Sequence, residues 1–141
     1  MCHGDFLIKK IRQLTLFVRD YDEAVEFYTE KLGFVKVVDT KVAPGIRLVA
    51  VAPNKDSETI IMFEKPAGKR EKEMVGKQFT NMLVQLETDN IDETYERMKE
   101  KGVTFVEKIT NAPWGNRQFF KTYMETYSTY WNKNGKLFTF H

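Results

Sequence analysis

The chain has 141 residues, of which 42% are hydrophobic, 13% aromatic and 30% charged. This is enough for one domain with a buried core and too short for two independent ones, and the apolar content excludes a disordered chain. The 22 basic residues nearly balance the 20 acidic ones, for a net charge of +2, and the two signs alternate along the chain, which argues against nucleic acid as a partner.

The N-terminal stretch Met1 to Lys10 carries Asp5 and has no extended apolar segment ahead of its lysines, so it does not read as a secretory signal. No apolar run approaches the roughly 20 residues of a membrane span, and the single cysteine, Cys2, excludes an internal disulfide. A reducing cytoplasm and no membrane partner are the expectation. Cys2 and His3 are adjacent and are read as a mobile terminus rather than a metal site.

The β-rich run Ile11, Leu14, Leu16 and Val18 predicts a first strand ending at Arg19 and Asp20. Asp20, followed three residues later by Glu23, forms a capping-box pattern. Tyr21, Ala24, Val25, Tyr28 and Leu32 then recur at helical spacing up to Gly33, a residue suited to a left-handed helix end. Three strands are predicted next: Phe34 to Val38, Arg47 to Val51 and Thr59 to Phe63. They are separated by Ala43-Pro44-Gly45 and by Pro53 to Ser57. Pro66 to Lys77 shows no consistent period and reads as a solvated connector.

Beyond the connector, Met82 to Glu87 predicts a strand. Asp89-Asn90-Ile91-Asp92-Glu93 opens a second helix bearing Ile91, Tyr95 and Met98 toward Gly102. The helix opening Tyr21-Asp22-Glu23-Ala24 is echoed about seventy residues later by Ile91-Asp92-Glu93-Thr94, the mark of a duplicated unit. Phe105 to Ile109 and Arg117 to Lys121 are predicted as further strands, joined by the turn-rich Asn111-Ala112-Pro113-Trp114-Gly115.

Taken together, Leu16-Phe17-Val18-Arg19-Asp20, Ala24, Phe27-Tyr28, Leu32-Gly33-Phe34, Leu86-Glu87-Thr88-Asp89, Gly102-Val103 and Pro113-Trp114-Gly115 resemble the glyoxalase, bleomycin-resistance and extradiol-dioxygenase superfamily, the vicinal oxygen chelate fold. The resemblance spans about residues 7 to 121. It implies an α+β domain in which two βαβββ units form a curled mixed sheet around a cavity. The first unit covers about residues 7 to 65, the connector 66 to 78 and the second unit 79 to 141, with an atypical closing strand after about Lys121.

Metalloenzymes of that superfamily hold a divalent cation with four His, Gln or Glu ligands, one from the first and one from the last strand of each half. The resemblance places these positions on Gln13, Met62 and Leu83, with the fourth on the closing strand. Methionine and leucine do not ligate a hard cation, so only Gln13 qualifies; Glu58, Glu64 and Gln85 are the neighbours from which a shifted site would be built. The closing strand lacks the expected glycine turn and reads Thr122-Tyr123-Met124-Glu125-Thr126-Tyr127-Ser128-Thr129-Tyr130-Trp131, with Asn134-Gly135-Lys136-Leu137-Phe138 as a late substitute. Reading the codons for Lys121 to Trp131 two bases later restores a glycine-bearing pattern, so the tail is hypothesised to be a frame-shifted closing strand. Gene sequence lacking that turn in the alternative frame would end the hypothesis.

The cavity is expected to use Phe17, Met62, Leu83, Trp114, Phe119 and Phe120 as its apolar or aromatic wall, and Gln13, Arg47, Gln85 and Arg117 as polar contacts. Only His3 and His141 supply imidazole, no glycine-rich phosphate loop is present, and no nucleophile motif stands out. Two readings follow. One is a metal-independent binding protein for a small organic molecule, with no cofactor. The other is a metal-dependent lyase, isomerase or dioxygenase with rearranged ligands. The resemblance also implies a homodimer.

Overall fold

A computed structural model describes residues 7–75, 77, 85–112, 115–121 and 127–132. Strand β1 (Gln13–Phe17) leads to helix α1 (Tyr21–Glu26), which widens into a π-type turn over Phe27–Lys31. Strands β2 (Val35–Ala43), β3 (Ile46–Ala52) and β4 (Ile60–Glu64) follow. After helix α2 (Lys69–Met74), the pattern repeats as β5 (Gln85–Thr88), α3 (Ile91–Glu100), β6 (Thr110–Ala112), β7 (Gly115–Lys121) and β8 (Tyr127–Asn132). The strands form two four-stranded sheets of matching order, β1-β4-β3-β2 and β5-β8-β7-β6. In each, the opening strand runs parallel to the closing one and the rest pair antiparallel.

Local chemistry accounts for the helices. The Asp20 carboxylate accepts the Glu23 amide at 2.9 Å and the Asn90 side-chain oxygen accepts the Glu93 amide at 3.0 Å, so both helices start on the same device. Both end on a glycine at positive φ, Gly33 at 75° and Gly102 at 84°, where a Cβ would be strained. Glu23 spends its carboxylate on Arg19, at 3.2 Å.

Alternation along the first sheet sends Leu16, Val49, Val51, Ile61 and Phe63 toward α1, where they bury with Ala24, Tyr28 and Phe34. The Tyr28 ring sits 5.4 Å from Phe34 and 5.5 Å from Phe63. In the second half Ile91, Met98, Val103 and Phe120 form the corresponding cluster. Leu32 and Leu86 pack against both cores.

Four local expectations differ from what forms. The connector holds α2, because Lys69 to Met74 are all strong helix formers and Glu71 accepts the Ala67 amide at 2.9 Å. The strand expected at Phe105 to Ile109 is reduced to one bridge, Phe105 to Phe120, and pairing resumes at Thr110. There the Gln118 side chain, buried at 2% exposure, takes the Glu107 carbonyl at 3.0 Å. The strand after Gly33 extends nine residues, to Ala43, with two register shifts against β3. Finally, the closing strand is Tyr127–Asn132, inserted between β5 and β7; Tyr, Thr and Trp are good strand formers without any glycine turn. The late turn and strand at Asn134 to Phe138 lie outside the described residues.

Candidate functional site

The first sheet has a face turned away from α1. On β1 it belongs to Gln13, Thr15 and Phe17, which alternate with the core residue Leu16. Register places Gln13 beside Ile60, Thr15 beside Met62 and Phe17 beside Glu64. Met62 pairs in turn with Ala50, and Ala50 with Val38. A row Thr15, Met62, Ala50, Val38 therefore crosses all four strands. Its flanks are half-buried, whereas Ala50 and its face-mate Ala52 are fully buried. The two alanines in this central strand are shorter than Met62 and Val38 on either side, which dents the row, and Phe17 and Ile60 border it, with Gln13 exposed at one end and Glu64 at the other. Gln13, Phe17 and Met62, all expected at the cavity, share this face.

Arg47 does not join them. It lies on β3 with Val49 and Val51, on the α1 side, where it ties the helix to the β2–β3 hairpin. Its Nε donates to Asp39 Oδ1 at 2.9 Å, and its Nη2 donates to Asp22 Oδ1 at 2.9 Å and to Asp39 Oδ2 at 3.0 Å. The guanidinium also stands 5.6 Å from the Tyr21 ring centroid. These hydrogen bonds from Arg47, with another from Lys36, hold the Asp39 carboxyl well below the usual carboxylate range and raise Arg47 above its own.

In the second sheet, Gln85, Thr129 and Phe119 fall in one register row, and Glu87, Trp131 and Arg117 in the next. Both rows alternate with the row of Leu86, Tyr130 and Gln118, in which Leu86 packs against the cores. The backbone positions of Gln85, Arg117 and Phe119 thus share a face as well, while Leu83 and Trp114 lie outside the described residues. Sequence reasoning passed over Ala50, Ala52, Glu87 and Trp131. The small residues were legible only as strand interior; Trp131 lies in the atypical closing strand, where Tyr127, Thr129 and Trp131 alternate.

Gln13 and Glu64 do not hold one divalent cation between them. Gln13 pairs with Ile60, and Glu64 lies four residues further along β4, a separation of about 13 Å at 3.3 Å per residue. Side chains that stand off the sheet at that spacing do not reach one ion. Met62, between them, offers only a thioether. Among the described residues no three His, Cys, Asp or Glu side chains group as metal ligands. No helix among those residues is long and apolar enough to cross a membrane.

Comparison with known proteins gives a family and a fold. The family model described as Glyoxalase/Bleomycin resistance protein/Dioxygenase superfamily matches residues 10–132. Two proteins of Bacillus subtilis (strain 168) are similar. YurT, an uncharacterized protein, is 37% identical over 103 residues, 72% of this chain and 81% of its own. YetH, also uncharacterized, is 30% identical over 115 residues, 82% and 91% of the two chains. Among solved structures, UcmS2 superposes with a TM-score of 0.79 at 24% identity, covering 90% of this chain and all of its own. TnmS3, an antibiotic binding protein from Streptomyces sp. CB03234, gives 0.76 at 22% identity and covers 92% and 99%.

Proposed function

Because the chain belongs to the glyoxalase/bleomycin resistance protein/dioxygenase superfamily, we propose that it is a metal-independent binding protein for a small organic molecule with a planar apolar body. The observation that carries this reading is the dented row Thr15, Met62, Ala50, Val38 on the face of the first sheet turned away from α1, bordered by Phe17 and Ile60. Apolar walls with a few polar groups at the rim are what small-molecule sites are made of, and Gln13 and Glu64 supply such a rim. The backbone rows of Gln85, Phe119, Arg117 and Trp131 in the second sheet furnish the rest of the wall in this reading, with Leu83 and Trp114. That TnmS3 binds an antibiotic on the same fold supports a ligand of that size.

A cytoplasmic homodimer completes the proposal. Its support is the apolar exposure of Val42 and Ile46 where edge strand β2 turns into β3, and of Leu7 and Ile8 ahead of β1. Sedimentation giving a monomer at micromolar concentration would remove that part.

The test of metal independence is elemental mass spectrometry on tag-free protein expressed with Mn, Fe, Co, Ni and Zn supplied. The reading predicts folded protein with no stoichiometric metal. A full equivalent of one metal, lost in Gln13→Ala, would replace it with a metalloenzyme using rearranged ligands.

A further inference from the structure

A pocket separate from the dented face lies where β1 and β4 end. These neighbours run parallel and stop in step: Phe17 is beside Glu64, and the Val18 amide donates to the Glu64 carbonyl at 2.9 Å. Beyond that point the chains part, one into α1 and the other through Lys65-Pro66 into α2, which touches β1. Chains leaving the carboxyl ends of adjacent parallel strands in different directions open a crevice between them. Here it measures about 460 Å³ and is lined by Arg19, Lys65, Pro66, Lys72 and Val75.

Its chemistry is one-sided. Three of the five lining residues are cationic, Pro66 and Val75 are half-buried and apolar, and no carboxylate lines it. Arg19 pairs with Glu23 at 3.2 Å, but Lys65 and Lys72 form no ion pair with a carboxylate among the described residues. Lys65 is positioned rather than loose, since its amide donates to the Tyr21 hydroxyl at 3.3 Å and its Nζ lies 5.9 Å from that ring's centroid. Cationic side chains that line one pocket with no carboxylate on its wall raise the local positive potential, which favours an anion there.

We propose that this pocket binds a small organic anion, its oxyanion between Lys65 and Lys72 beside Arg19 and its apolar part against Pro66 and Val75. The concave shape and the chain's small net charge favour a small ligand over a polyanion. None of the residues on the dented face lines the pocket, so this site stands or falls separately from the proposed function.

The experiment titrates the full chain with phenyl phosphate and, separately, inorganic phosphate, following amide shifts by NMR. Phenyl phosphate is expected to move amides around Arg19, Lys65 and Val75, and to bind K65Q/K72Q at least ten-fold more weakly than wild type. Lys99→Gln, on α3, is expected to bind as wild type. Inorganic phosphate is expected to bind more weakly than phenyl phosphate, and Val75→Asp to abolish that difference. Equal affinity for K65Q/K72Q and K99Q, or shifts centred on Thr15 and Phe17, would overturn the proposal, as would equal affinity for the two phosphates. The substituted side chains lie at the surface or half-buried, and unchanged melting temperatures confirm that each variant is folded.

Discussion

The two faces of the first sheet are made by the same four strands and carry side chains of different size. Toward α1, Leu16, Val49, Val51, Ile61 and Phe63 are large, branched or aromatic, and close the space against Tyr28 and Ala24. Away from it, the row Thr15, Met62, Ala50 and Val38 is made of smaller or unbranched side chains at its centre, with alanine where the other face has valine. The first face packs the core; the second carries the ligand site proposed above. Substitutions on the two faces should therefore separate into losses of stability and losses of binding.

The largest effect is expected from Phe63→Ala, which removes a ring packed on Tyr28 and should lower stability by about 3–5 kcal/mol in denaturant unfolding. A loss of under about 1 kcal/mol would mean that the helix face is not the core. Ala50→Leu probes the other face. It fills the dent, and ligand affinity should fall at least ten-fold, for an overpacking cost of about 1–3 kcal/mol. A variant that binds normally would place the site elsewhere. Asp20→Ala removes the cap of α1 and should cost about 1 kcal/mol without touching affinity, as read by thermal melts and titration.

The smallest effect concerns pH. Asp39 has its pKa lowered by Arg47, so its pairing contributes stability above the unfolded carboxylate pKa of about 4 and loses it as pH falls toward the folded value. Arg47 itself stays charged throughout, so the dependence comes from Asp39. Acid unfolding followed below pH 4 should be less pH-dependent in Arg47→Gln than in wild type. An unchanged profile would show that the clamp between α1 and the β2–β3 hairpin contributes nothing.

Much of this arrangement was legible in the sequence because it rests on local rules. Asp20 and Gly33 marked the ends of a helix, and the echo of Tyr21 to Ala24 in Ile91 to Thr94 marked a second unit of the same kind. Less was legible where tertiary pairing decides. The Phe105 to Ile109 segment has strand composition, yet a buried glutamine takes one of its carbonyls. Tyr127 to Asn132 carries no turn signal ahead of it, yet it is the residue set that fits between β5 and β7. The site was legible in part. Gln13, Phe17 and Met62 share a face because alternation is a sequence property, whereas Arg47 looked like a polar contact until the packing of Val49 and Val51 fixed which side of β3 faces α1. The alanines gave no signal, since a missing side chain matters only once its neighbours are known.

The central claim is that the alanine-dented face binds a planar organic molecule without metal. The direct measurement is tryptophan-fluorescence titration with a panel of neutral and cationic planar aromatic compounds in the presence of EDTA, run on wild type and on Ala50→Leu. Saturable binding of at least one compound that survives the chelator and is lost in Ala50→Leu is the predicted result. Binding that appears only when a divalent cation is added, or that Ala50→Leu leaves unchanged, would contradict it.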